Sequence, residues 1–288
     1  MTEEPHRVTN RLLGYPDDAR LLIVNADDFG MYEDVNDGVI EALTEGIVCS
    51  TSLMVPCPGA PQAMTWLGTH PEVSFAVHLS IVNDIPGYRW GPMAPRDAVP
   101  SLLAEDGNLY LEERRDEMLA TARLDEVEAE FRAQIAPVLA AGLRPTHLDW
   151  HCLHSGGRTD IFDLTRRLAN EFGLALRVGL QPHIEQVRHS GLPANDHDLL
   201  DSFSIPIDAK ADIYADLLRS LPPGLTEWAV HPATGTPTSQ EIDPAGWRVR
   251  RTDLDFLVSP LAREVIEREG IILLDYRPLQ AVWQEISR

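Results

Sequence analysis

Short apolar runs alternate with amphipathic stretches along most of this chain, and few architectures accept that rhythm. Segments 21–25, 47–55, 73–79, 145–150, 174–178, 203–207, 226–230 and 271–275 read as strands. Segments 34–45, 61–67, 125–141, 160–172, 213–221 and 253–269 read as helices. The first long helix carries Val35, Val39, Ile40 and Leu43 on one side and stops at Gly46. The clearest one carries Val127, Phe131, Ile135, Val138 and Leu139, with Asp125 and Glu128 as an approximate capping box and Pro137 as an expected kink. Pro260 is expected to interrupt the last. A strand–helix unit repeated seven or eight times implies a parallel sheet. No glycine-rich phosphate loop follows the first strand, which weighs against a nucleotide-binding doubly wound sheet. The expectation is a closed or nearly closed (β/α) barrel. No internal repeat, low-complexity tract or strong linker divides it, so residues 21–288 are expected as a single barrel domain behind an N-terminal tail at 1–20.

Of the 288 residues, 44% are hydrophobic and 24% charged, enough for a full core. The net charge of −21 argues against nucleic acid and anionic membranes as partners, since both need a basic footprint. It is compatible with a neutral or cationic substrate. No apolar run is long enough to span a bilayer, and residues 1–20 lack the apolar segment of a signal peptide. Cysteines 49, 57 and 152 form no paired framework. A cytoplasmic protein is expected.

In such barrels chemistry gathers at the carboxyl ends of the strands. The first strand runs directly into Asp27 and Asp28, and Gly30 marks the turn beyond. Alternation relaxes at a strand end, so both carboxylates can reach one cleft. His78 ends the third strand, His231 the seventh, and Asp275 the eighth. The fourth supplies His147, Asp149 and His151 at period two, with His154 beyond. Cys152 is expected to point away and to pack. Asp28, His78 and His151 make a set of two imidazoles and one carboxylate. Such a set leaves positions open for water or substrate, as catalytic metal sites do. Zinc suits these donors, and magnesium or manganese remain open. Asp27 then stands free as general base, and His231 is placed to protonate a leaving group. Segment 83–100 is an irregular, proline-rich loop, and its Tyr88 and Trp90 suggest a substrate wall.

Four pieces in order, Ala26-Asp27-Asp28-Phe29-Gly30, Val77-His78-Leu79, Thr146-His147-Leu148-Asp149-Trp150-His151 and His231-Pro232, resemble the signature of the YdjC/ChbG-like carbohydrate deacetylases. The 100–107 segment and the C-terminal helix and strand agree, so the resemblance covers roughly residues 20–280. It implies an irregular (β/α) barrel of the glycoside hydrolase/deacetylase type. It also implies metal-dependent removal of an N-acetyl group from an amino sugar or chito-oligosaccharide. By position it assigns Asp28, His78 and His151 to one divalent metal ion (magnesium or zinc), Asp27 to the base and His231 to the acid. His147, Asp149, His154, Tyr88 and Trp90 are expected to touch substrate, and a homodimer is allowed. The Cys152-Leu153-His154 run and the 83–95 loop depart from the family pattern, and both fall where substrate would touch. Two other readings are a metal-dependent sugar isomerase or epimerase and an inactive sugar-binding protein.

Overall fold

The computed structural model describes residues 8–286. Among the described residues there are ten strands: β1 (Arg20–Phe29), β2 (Ser50–Leu53), β3 (Ser74–Leu79), β4 (Val82–Asn83), β5 (Tyr110–Leu111), β6 (His147–Trp150), β7 (Ala175–Leu176), β8 (Leu200–Asp201), β9 (Gly224–Val230) and β10 (Ile272–Leu273). Eight form one curled parallel sheet in the order β7-β6-β3-β2-β1-β9-β8, with β10 also on β1. Strands β4 and β5 pair separately.

The sheet is built around β1. Its residues Leu21, Leu22, Ile23 and Val24 are fully buried, as an apolar run on a sheet covered on both faces must be. One edge pairs with β9 from Arg20 to Ala26. Along the other edge, β10 takes the lower part at Leu21 and Leu22, and β2 takes the upper part from Asn25 to Phe29. Among the described residues β7 and β8 do not pair as strands. The Leu199 N–H donates to the Gly179 carbonyl at 2.7 Å, and this bond draws the two sheet ends together. The result is a curled, incompletely closed (β/α) barrel: the alternation predicts its parallel sheet, and the family resemblance predicts its irregularity.

Several boundaries differ from the sequence reading. Strand β1 extends through both aspartates to Phe29. At 203–207 there is no strand: β8 ends at Asp201, and a 3-10 turn follows, capped by the Asp201 carboxylate on the Phe203 N–H. Pro206 has no N–H to give a ladder. The helix expected at 253–269 is two helices, Trp247–Leu257 and Pro260–Arg268, the second capped by Ser259 Oγ on the Ala262 N–H. The Leu124–Ala140 helix runs through Pro137, and Asp125 pairs with Arg123 rather than capping. Short helices at Arg115–Thr121, His183–His189 and Pro237–Ile242, and a C-terminal one at Arg277–Ile286, had no counterpart in the reading.

Of the segment expected as a tail, residues 1–7 lie outside the described residues. Residues 8–20 pack onto the barrel through a helix at Val8–Leu12 whose Thr9 and Asn10 are buried. The Thr9 hydroxyl donates to the Ala194 carbonyl, and the Asn10 amide to the carbonyls of Pro16 and Ala19. Polar residues here serve the local backbone, which composition alone does not distinguish from solvent exposure. No helix among the described residues is long and apolar enough to cross a membrane.

Candidate active site

A cleft of about 380 Å³ opens at the carboxyl ends of β1, β3, β6 and β9. Asp27 and Asp28 reach it together because the β1–β2 register shifts between Ala26 and Phe29 and Asp28 has φ +70°. Such a backbone is uncommon for an L-residue other than glycine and re-aims the side chains of a strand end. The Asn36 side chain accepts a hydrogen bond from the Gly30 N–H at 2.6 Å and fixes the turn that follows. A Cβ on Gly30 would lie 3.1 Å from the Ala60 Cα, and φ there is +97°.

The parallel register of β3 and β6 sets His78 beside Asp149. The His78 Nδ1–H donates to Asp149 Oδ1 at 2.7 Å, which leaves Nε2 facing the cleft. That Nε2 stands 3.6 Å from Asp28 Oδ1 and 3.9 Å from Asp27 Oδ2. His151 continues β6, its N–H donating to the Leu79 carbonyl. Its Nδ1 is 3.1 Å from Asp28 Oδ1, and its Nε2 is 3.3 Å from Asp84 Oδ1. Asp28, His78 and His151 thus each offer a donor atom within 4.8 Å of the others.

Two arginines hold the aspartates. Arg177 clasps both oxygens of Asp27 at 2.8 Å and also reaches Asp149 at 3.2 Å and Glu227 at 2.7 Å. Arg250 donates to Asp28 Oδ2 at 2.8 Å and to Asp243 at 3.1 Å. Burial opposes ionisation of Asp27 and Asp28, but Arg177 and Arg250 with the neighbouring imidazoles outweigh it, and both carboxyls titrate below the usual range. Asp84 is likewise lowered, burial being outweighed chiefly by His151. For His78, burial is outweighed by Asp149, Asp27 and Asp28, and its pKa is pushed up to about 9. His151 is raised too, its burial overcome by Cys152, Asp84 and Asp28.

The donor set fits a divalent cation. The buried carboxylates of Asp27, Asp28, Asp149, Glu227 and Asp243 outnumber Arg177 and Arg250, and this excess of negative charge is what raises both imidazoles. One divalent cation would offset the same excess. His78 is also oriented from behind by Asp149, as ligating histidines commonly are, and Asp84 stands 3.3 Å from the outer nitrogen of His151.

The remaining sequence candidates fall in different places. His231 lines the cleft from the end of β9; its Nδ1 is 2.8 Å from Ser202 Oγ, and its N–H donates to Asp253 at 2.9 Å. His154 is exposed and also lines the cleft. Asp149 and His147 do not line it, being fully buried below. Tyr88 turns its hydroxyl to the Met31 carbonyl at 2.9 Å. Trp90 is buried with its indole edge against His151, ring centroids 5.7 Å apart. The 83–100 loop lends the cleft Asp84 and Ile85 in place of these aromatics. Asp275 is far below, because β10 pairs with the lower part of β1, and it binds Arg277.

Strand alternation predicts that Cys152 points away, and the structure turns it inward instead. It lines the cleft, with φ +54° and Sγ 3.3 Å from His151 Nε2. Arg177, Arg250, Asp84 and Phe203 join the site without being among the sequence candidates. Arg177 stands inside a segment read as an apolar strand, and that lone charge was the available signal. Arg250 reaches in from a helix, and no local pattern marks it.

The family model described as YdjC-like protein matches residues 21–268. The chain belongs to the YdjC-like family. A carbohydrate deacetylase of Geobacillus stearothermophilus is 32% identical over 261 residues, covering 90% of this chain and 97% of that protein. A chitooligosaccharide deacetylase of Serratia marcescens is 30% identical, covering 90% and 99%. The crystal structure of an Enterococcus faecalis V583 protein, provisionally described as a cellobiose-phosphate cleavage protein, superposes with a TM-score of 0.75 at 28% identity. It covers 91% of this chain and 99% of that one.

Proposed function

We propose that this YdjC-like protein is a divalent-cation-dependent carbohydrate deacetylase that hydrolyses the N-acetyl group of an amino sugar or chito-oligosaccharide. The observation that carries the reading is the convergence of Asp28, His78 and His151 beside a second, ionised carboxylate, Asp27. Relatives named carbohydrate deacetylase and chitooligosaccharide deacetylase, aligned over most of both chains, support the substrate class.

Asp28, His78 and His151 would hold the cation, which supplies Lewis acidity toward an amide carbonyl. Two imidazoles among three donors suit zinc, and magnesium is the other candidate. Asp27 Oδ1 accepts from Asn25 and Arg177, whereas Oδ2 accepts from Arg177 alone. Oδ2 therefore keeps a lone pair for a water proton. His231, held through Nδ1 by Ser202, delivers a proton to the departing amine from the opposite wall. Phe203, 44% exposed at the cleft edge, offers a ring face to a sugar.

Cleavage of a glycosidic bond is less well supported. It calls for a carboxyl kept protonated as general acid. Asp27, Asp28 and Asp84, on the cleft floor, are all held below the ordinary carboxylate range. An isomerase reading meets a different difficulty: the chain has one lysine, Lys210, and it is buried against Asp253 at 2.6 Å.

The test is acetate release from N-acetylated chito-oligosaccharides by cation-loaded protein. Wild type is expected to release acetate, Asp28→Ala to lose both cation and turnover, and Asp27→Asn to keep the cation while kcat falls roughly 10²- to 10⁴-fold. Equal cation affinity in wild type and Asp28→Ala would overturn the proposal.

A further inference from the structure

No step of the proposed hydrolysis uses Cys152, yet the backbone is bent to bring its thiol into the cleft. Successive side chains on a strand face opposite ways. The left-handed φ of +54° at Cys152 breaks that alternation just after His151. Sγ then lies 3.3 Å from His151 Nε2, on the ring nitrogen that faces away from Asp28. Asp84 Oδ1 lies 3.3 Å from the same nitrogen. That carboxylate oxygen is buried and has no hydrogen-bond partner among the described residues. A buried, unpartnered carboxylate oxygen is costly unless a cation or donor meets it. The Asp84, His151 and Cys152 donor atoms all lie within 4.8 Å of one another.

We propose that Asp84, His151 and Cys152 form a second cation-binding set, selective for thiophilic divalent ions such as zinc and cadmium, that shares His151 with the first. A thiolate, an imidazole and a carboxylate together favour borderline and soft metals over magnesium or manganese. A neutral imidazole has one ring nitrogen free to ligate and the other protonated. With Nε2 on a thiophilic ion, Nδ1 keeps its proton and donates to Asp28. With Nδ1 serving the first set, the Nε2–H lies toward Asp84. The two sets therefore exclude each other, and a thiophilic ion in the second withdraws a ligand from the first. Coordination replaces the S–H proton, which passes to solvent, and no electron is transferred. The exclusion rests on the cation reading of Asp28, His78 and His151; capture of the ion by Cys152 does not.

The experiment titrates cadmium into metal-free protein and follows the ultraviolet thiolate-to-cadmium absorption. In parallel, bound and free manganese are measured by electron paramagnetic resonance. Wild type is expected to give a saturable thiolate band and to release prebound manganese as cadmium fills the site. Cys152→Ser should lose the band, keep its manganese affinity and need far more cadmium to release manganese. Asp84→Asn should weaken cadmium by roughly tenfold or more. Should Cys152→Ser not fold, Cys152→Gly, which relaxes the left-handed backbone, is expected to lose the band likewise. A band that survives loss of the Cys152 thiol overturns the proposal. So does a wild-type protein holding cadmium on thiolate and manganese together, whereas one that gives the band but binds no manganese overturns the first cation set and leaves cadmium capture by Cys152 standing. Failure of the deacetylase reading would appear as absent acetate release with the cadmium band intact.

Discussion

His78 and His147 stand on neighbouring strands, one layer apart in the barrel interior, and behave oppositely. His78 sits at the cleft floor, bonded to Asp149 at 2.7 Å with Asp27 and Asp28 beyond. His147 lies one layer lower, stacked on Tyr276 with ring centroids 3.4 Å apart, and its Nε2 has no hydrogen-bond partner among the described residues. The carboxylates push His78 up to about 9, while burial, only partly countered by Asp149, takes His147 down to about 3. Both are fully buried histidines of a parallel sheet. Depth along the strand, and the charge found at that depth, decides which one faces the cleft and which one packs.

That contrast is sharpest under substitution. His78→Phe removes a donor and is expected to abolish cation binding and turnover, measured by equilibrium dialysis and acetate release. Arg177→Met comes next. It leaves Asp27, Asp149 and Glu227 without their shared cation, and a denaturant titration should show a loss of about 3–5 kcal/mol. Asp149→Asn keeps the ligands but frees the His78 ring, and cation affinity should fall roughly 10- to 100-fold. His147→Phe should change least, with cation affinity unaltered and stability within about 1.5 kcal/mol of wild type. Similar losses of cation affinity in His78→Phe and His147→Phe would erase the distinction between the layers.

Acid and base titration separates the layers again, now by sign. The folded-state pKa of His78 is raised, so its contribution to the metal-free protein is complete below about 6.5 and lost as pH rises through about 9. The folded-state pKa of His147 is depressed. The unfolded chain therefore binds the extra proton, and stability falls as pH drops from about 6.5 toward about 3. His147→Phe should flatten the acid side of the stability profile and leave the alkaline side alone. Because a protonated imidazole cannot ligate, cation affinity should climb with pH and binding should release protons.

Much of this arrangement was legible in the chain. The strand–helix rhythm implied the parallel barrel, and the order of Asp27-Asp28, His78 and His151 at strand ends implied their meeting. Period two grouped His147 with Asp149 and His151, but periodicity reports a face and not a depth. It therefore could not tell that His147 and Asp149 lie beneath the cleft. Nor could it foresee the left-handed backbone at Asp28 and Cys152, which turns two side chains that alternation would send elsewhere. Arg250 lay furthest from view: it approaches Asp28 across 222 residues of sequence. The aromatics of the 83–100 loop misled for a plainer reason. Asn83 binds the Trp90 backbone and the Glu130 carboxylate the N–H groups of Met93 and Ala94, so the loop folds inward.

Anomalous diffraction from crystals soaked in manganese tests the central claim most directly. One peak is expected, within bonding distance of Asp28, His78 and His151, with Asp27 beside it and unbonded to it. A peak that omits any of those three side chains, or no peak in manganese-saturated crystals, would contradict the account.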